Sequence, residues 1–228
     1  DFTGWVMGSS SDSNLFDVYY NVTEPGDPEH SNVYGKVKLL GANARSSATN
    51  KTLKIGYNQS VNQDGIYYYV TRIDKSMRYR CSDIETLDMS STNKIDTIDA
   101  DAFNGSTALT KAIVSAKVIG SRAFYNCKNL KTLQLYGSSE SSQGVQQLGG
   151  FSFAQTGVTS VYIPSSVTSY SGGVFAYCGS LTNFTVSSSN NYFAADTNSP
   201  NCLYNKSKTT LYQMGGGTTP TVMQDLSS

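Results

Sequence analysis

Between Ile73 and Val186 one spacing of apolar residues keeps returning. In "RAFYNCKNLKTLQL", Phe124, Cys127, Leu130, Leu133 and Leu135 stand at intervals of three, three, three and two. A helix would return at three and four throughout, and a half-buried strand would alternate throughout. A piece that starts with one rhythm and ends with the other reads as a tight turn running into a short strand. Over residues 132–136 the side chains of Leu133 and Leu135 point one way, and those of Thr132, Gln134 and Tyr136 the other. The Ala-Phe-x-x-Cys-x-x-Leu part predicts a single turn of 3₁₀ or α-helix, with its apolar residues facing inward.

The same rhythm recurs with Phe103, Ser106, Leu109, Ala112 and Val114, and with Phe175, Cys178, Leu181, Phe184 and Val186. Phe153, Thr156, Val158, Val161 and Ile163 fit if one residue is dropped after the Thr. Ile73, Cys81, Ile84, Leu87 and Met89 form a degenerate first copy, in which Arg78 replaces the Phe. The copies lie roughly 21 to 29 residues apart, the range of leucine-rich repeats. One such unit cannot bury its own apolar face, but a stack can. The expected fold is therefore a mainly β leucine-rich-repeat solenoid, a parallel strand ladder with short 3₁₀ or α turns, its strands about 4.8 Å apart. Phe103, Phe124, Phe153 and Phe175 should form one internal column, and Ile73, Ile98 and Ile119 another.

Residues 1–69 carry no repeat. "FDVYYNV", "VYGKVKLLG", "KTLKIGY" and "GIYYYV" read as strands, and "TEPGDPEHSN" as a loop. A solenoid needs its end coil covered, so this segment is expected to be an N-terminal antiparallel β cap, with about five coils over 70–228. The tail "TTPTVMQDLSS" shows no capping pattern and reads as the start of a further coil, cut short.

The segments "VIGSRAFYNCKNLKTLQL" and "SVYIPSSVTSYSGGVFAYCGSLTNFTV" resemble the BspA-type leucine-rich repeats of bacterial and protist surface proteins, whose usual form is I-G-x-x-A-F-x-x-C-x-x-L-x-x-I-x-I-P. "NNYFAADTNSPNCLYNKSKTTLYQM" is similar to a β-hairpin insert of that family, here at about 190–214. The resemblance runs from Tyr69 to Met214. It implies a cell-surface or extracellular location and an adhesin-like role. A repeat of this kind is a scaffold, so it does not itself name a ligand.

Composition narrows the partners. Lys plus Arg and Asp plus Glu number 17 each, and nucleic acid or an anionic membrane would call for a basic excess. No apolar run approaches the ~18 residues of a membrane span. Of the four Cys, Cys81, Cys127 and Cys178 share one coil position, with Ser106 and Thr156 in the coils between. Neighbouring Cys are thus about 9 to 10 Å apart, beyond the reach of a disulfide, and are expected to be buried thiols that fill space. Cys202 falls in the insert and has no obvious partner. His30 is the only histidine and sits in a polar loop, which argues against His-based metal sites and triads. Two acidic groups stand out, Asp96, Asp99 and Asp101, and Glu24, Asp27 and Glu29; the first lacks the calcium-loop glycine and final Glu and reads as solvated turn Asp. No cofactor, metal site or catalytic residue is expected. The six Asn-x-Ser/Thr triplets, at Asn21, Asn50, Asn58, Asn104, Asn183 and Asn205, are what a Ser-, Thr- and Asn-rich chain supplies by chance.

The reading is therefore a non-enzymatic binding module that recognises a protein or glycan of a cell or matrix surface through its exposed strand face. The outward central positions are Asp88, Ile113, Gln134, Tyr162 and Thr185, flanked by Thr86, Lys111, Thr132, Ser160 and Asn183 on one side. On the other side lie Ser90, Ser115, Tyr136, Pro164 and Ser187. Tyr136 and Tyr162 are the natural anchors, since Tyr joins contact area to a polar tip. The alternatives are a structural spacer in a larger surface protein and, more distantly, a glycan-active enzyme.

Overall fold

Short alternating segments give short strands. In Ser160–Ile163 the pattern exposed, buried, exposed, buried puts Val161 and Ile163 inside. The computed structural model describes residues 2–3, 16–24, 26, 35–44, 48, 51–55, 59–60, 67–92, 94–137 and 144–216. His30, Asp27 and Glu29 lie outside them, as do Asn50 and Asn58.

In the first part of the chain the strands are β1 (Phe2–Thr3), β2 (Phe16–Glu24), β3 (Gly35–Ala44), β4 (Thr52–Lys54), β5 (Gln59–Ser60) and β6 (Tyr67–Ile73). The coils follow with β7 (Thr86–Asp88), β8 (Ile95–Ile98), β9 (Lys111–Val114), β10 (Ala116–Ile119), β11 (Thr132–Leu135), β12 (Gln147–Leu148), β13 (Ser160–Ile163), β14 (Ser169–Tyr170) and β15 (Asn183–Val186). The last strands are β16 (Phe193–Ala195), β17 (Cys202–Asn205) and β18 (Leu211–Met214).

Each coil contributes to two parallel ladders. The first runs β4-β7-β9-β11 and continues, after an interruption, as β13-β15. The second runs β3-β6-β8-β10-β12-β14. The interruption falls at the coil that is one residue short between Thr156 and Val158. The missing residue is absorbed in the turn, since β13 still pairs in register with β15 of the following full-length coil.

Strands β1, β2 and β3 pair antiparallel at the N-terminal end. That end is more continuous with the coils than the sequence suggested, because β3 and β4 already run parallel with β6 and β7. Of "YYYV", Tyr68 and Val70 are buried and Tyr69 half-buried, so these residues serve packing.

The turns form a third strip. Only the first is a true 3₁₀ helix, Lys75–Tyr79, capped by the Asp74 side chain. In the others alternate N–H groups have different fates. Ala102, Asn104 and Ser106 donate to carbonyls three residues back, while Asp101, Phe103 and Gly105 donate to Ser121, Ala123 and Tyr125 of the next coil. A continuous helix would spend every N–H inside its own coil. Alternation lets each turn stack on the next, and left-handed residues on both sides of each Phe make it possible.

The phenylalanines stand in single file. Phe103 and Phe124 have ring centroids 4.9 Å apart, Phe124 and Phe153 5.0 Å, and Phe153 and Phe175 5.5 Å, all nearly parallel. All four are essentially inaccessible. Each adds about 1.5–3 kcal/mol from burial and each stacked pair about 0.5–1.5 kcal/mol more. A second column passes through Leu39, Ile73, Ile98, Ile119, Leu148 and Tyr170, neighbours in register along the second ladder.

Where a single hairpin was expected at 190–214, β16, β17 and β18 form a three-stranded antiparallel sheet. It sits on the last coil through Tyr170, Phe193 and Tyr212, whose rings touch pairwise. Asn190 fixes it there. Its fully buried amide donates to the Pro164 and Val167 carbonyls and accepts from the Tyr192 and Phe193 N–H groups.

Candidate functional site

The first ladder carries the outward side chains that the alternation selects. Asp88, Ile113 and Gln134 are direct register partners on β7, β9 and β11. Tyr162 and Thr185 are partners on β13 and β15. The ladder interruption leaves these as two short rows, not one. Tyr162 is 50% exposed and Tyr136, just past β11, is 46% exposed. Gln134 and Thr185 are exposed, and Asp88 and Ile113 half-buried.

Two flanking positions do not belong to this surface. Ser115 is buried, its hydroxyl donating to the Thr92 carbonyl at 2.8 Å. Pro164 is also buried, and its carbonyl accepts from Asn190. Both lie where the coil has begun to bend toward the second ladder, so strict alternation has ended. The row also has a member that the sequence reading assigned to the cap. Lys54 on β4 is exposed and stands opposite Asp88. The clue was in "KTLKIGY", where Leu53 and Ile55 alternate with Lys54.

The acidic residues of the turns are committed. Asp96 pairs with Lys117 at 2.7 Å. Asp99 is not a solvated turn residue: it is buried and pairs with Arg72 Nε at 2.8 Å. Asp101 accepts from the Asn104 amide at 2.6 Å. Among the described residues no cluster of His, Cys, Asp or Glu could hold a metal ion. No helix among them is long and apolar enough to cross a membrane.

The family model of the BspA type leucine rich repeat region matches residues 57–141 and 97–210, in six copies. The chain belongs to the BspA-type leucine-rich repeat family. Two solved structures share the fold of this chain. The pneumococcal vaccine antigen PcpA aligns over 87% of this chain and 54% of its own, with a TM-score of 0.55 and 18% identity. A leucine-rich repeat protein from Bacteroides ovatus aligns over 75% of this chain and 39% of its own, with a TM-score of 0.52 and 20% identity. The chain thus spans about half, or less, of the length of these proteins. No curated protein matches it.

The Cys position of the BspA-type repeat becomes a polar thread through the apolar core. Cys127 donates to the Phe103 carbonyl at 3.1 Å and Cys178 to the Phe153 carbonyl at 3.2 Å. Cys81 lies 3.2 Å from the Ser106 hydroxyl, and Thr156 3.2 Å from Cys178. Burial pushes the Cys81 thiol up to about 11 and Cys127 up to about 12, and raises Cys178. These thiols stay protonated at neutral pH and are poor nucleophiles. Cys202 is also buried as a thiol.

Proposed function

We propose that this chain is a non-enzymatic, surface-located recognition module whose first-ladder face binds a protein ligand. What carries the reading is the register of that face. Asp88, Ile113 and Gln134, then Tyr162 and Thr185, project from a backbone whose inward residues are all committed to the core. A rigid scaffold presenting side chains at fixed spacing loses little entropy on binding. Exposed Tyr anchors beside a half-buried Ile match the composition of protein interfaces more than that of catalytic clefts. The family membership and the likeness to a vaccine antigen support a place on the outside of a cell.

The test is an array of extracellular-matrix proteins, cell-surface proteins and glycans, probed with the full chain and with Ile113→Glu. A protein that binds the wild type and is lost on Ile113→Glu supports the reading. Protein binding that the variant leaves intact excludes this face, and a signal confined to glycans that Ile113→Glu abolishes replaces the protein ligand with a sugar.

A further inference from the structure

The coil turns hold large side chains where the backbone is left-handed. Two such positions recur in each of the four turns from Asp101 onward. The first is filled by Asp101, Arg122, Phe151 and Gly173, the second by Gly105, Asn126, Gln155 and Tyr177. Gly, Asn and Asp suit this region, whereas a bulky ring there costs about 1–2 kcal/mol. Phe151 has φ 56° and is 40% exposed; Tyr177 has φ 59° and is 78% exposed. Tyr177 lies mostly in water, so core packing does not offset that cost there, and Phe151 is covered on one side by the Gly173 backbone and open on the other. The stacked turns need the left-handed backbone but not a large ring upon it, so Phe151 and Tyr177 in place of Gly or Asn point to a use at the surface.

The surroundings give the chemistry. Phe151 lies over the backbone of the next coil: a Cβ added to Gly173 would sit 2.9 Å from its Cε1, while one added to Gly172 would meet nothing within 4 Å. Arg122 occupies the Phe151 row one coil earlier, joined by its N–H to the Gly150 carbonyl at 3.0 Å. It is exposed, and among the described residues it has no ion-pair partner. Asn126 and Gln155 lead along the second row to Tyr177, and Gln155 N–H reaches the Ala176 carbonyl at 2.9 Å. Asp101, the acid nearest in the Arg122 row, is occupied by Asn104.

We propose that this turn ridge, distinct from the first-ladder face, binds an acidic glycan. Phe151 and Tyr177 stack on sugar rings, and the Arg122 fork pairs with a sugar carboxylate. The planar amides of Asn126 and Gln155 meet hydroxyl groups. The two rows are four residues apart along the turn, at most about 14 Å, a span for a short oligosaccharide.

Calorimetry of the full chain with sialyllactose and with oligogalacturonate, against lactose as the neutral control, tests it. At least one acidic sugar should bind about tenfold or more tighter than lactose, and Arg122→Gln should remove that preference. Tyr177→Ala should weaken binding by about tenfold or more, and Tyr162→Ala on the other face should leave it unchanged. Tyr177→Gly should hold or raise Tm, because strain is relieved. No preference over lactose, undiminished binding by Tyr177→Ala, lost binding by Tyr162→Ala, or a fall in Tm on Tyr177→Gly would each overturn the proposal.

Discussion

Gln213 completes the coil above Phe175. In earlier turns the Phe N–H donates to a backbone carbonyl of the next coil: Phe103 to Ala123, Phe124 to Ser152 and Phe153 to Val174. Phe175 has no such partner and donates instead to the Gln213 side-chain Oε1 at 3.4 Å, which also accepts from the Tyr170 hydroxyl at 3.2 Å. A side-chain amide on β18 stands in for the backbone of a further coil. Gln213→Leu keeps the size and removes the acceptor, leaving two donors near the coil end unpaired. We expect a loss of about 1–3 kcal/mol by denaturant unfolding. An unchanged midpoint would mean that water serves equally well.

Asn190 ties the β16–β18 sheet to the last coil through four side-chain bonds, and Lys206 Nζ adds a fifth to its carbonyl at 2.6 Å. Asn190→Ala should cost about 3 kcal/mol or more. Hydrogen exchange should show the loss concentrated in Cys202–Asn205, with Lys111–Val114 keeping its protection. Uniform loss along the chain would argue against a separable end unit.

Phe124 sits between two stacked neighbours, so truncation removes both ring contacts and opens a cavity. Phe124→Ala should destabilise by about 3–5 kcal/mol, whereas Tyr162→Ala on the exposed face should stay within about 0.5 kcal/mol. Equal effects would contradict the single-file core.

Ser152 offers a stabilising change. It fills the position held by Ala102, Ala123 and Val174 in the other turns, and its fully buried hydroxyl has no hydrogen-bond partner among the described residues. Ser152→Ala should raise stability by about 1 kcal/mol, visible as a higher Tm. A lower Tm would show that the hydroxyl is satisfied after all.

The Cys81 and Cys127 thiols, raised by burial from 9.0 to about 11 and about 12, set a direction for alkaline stability. Above about pH 9 the unfolded chain gives up these protons and the folded chain does not. Their contribution is therefore complete below pH 9 and is lost as pH rises through the folded values. Unfolding midpoints should fall on the alkaline side, and less so in Cys127→Ser. At pH 8 a thiol reagent should label these residues only when the chain is unfolded.

What was legible in the sequence was what the repeat writes several times. Phe103, Phe124, Phe153 and Phe175 recur at one coil position, and stacking follows from that recurrence. The part of the ladder built by β3 and β4 was not legible, because parallel pairing there uses backbone groups, and the Lys38–Asp74 pair recurs only once, as Arg72–Asp99 one coil on, before Gly120 and Gly149 take the acidic position. The burial of Asp99 depends on Arg72, 27 residues away, and spacing alone does not reveal such a partner. Alternation selects Asp88, Ile113, Gln134, Tyr162 and Thr185, of which Gln134, Tyr162 and Thr185 are exposed and Asp88 and Ile113 half-buried, and it fails at Ser115 and Pro164, where the strand bends. The left-handed backbone at Phe151 and Tyr177 carries no Gly or Asn to announce it.

The central claim is that coil positions stacked in register present the first-ladder face for contact. Radical footprinting of the chain with a protein ligand from the array tests this most directly, by reading oxidation of individual exposed side chains. The account predicts that Tyr136 and Tyr162 become protected while Tyr79 and Tyr177 keep their labelling. Protection of Tyr79 or Tyr177, with Tyr136 and Tyr162 still labelled as in the free chain, would contradict it.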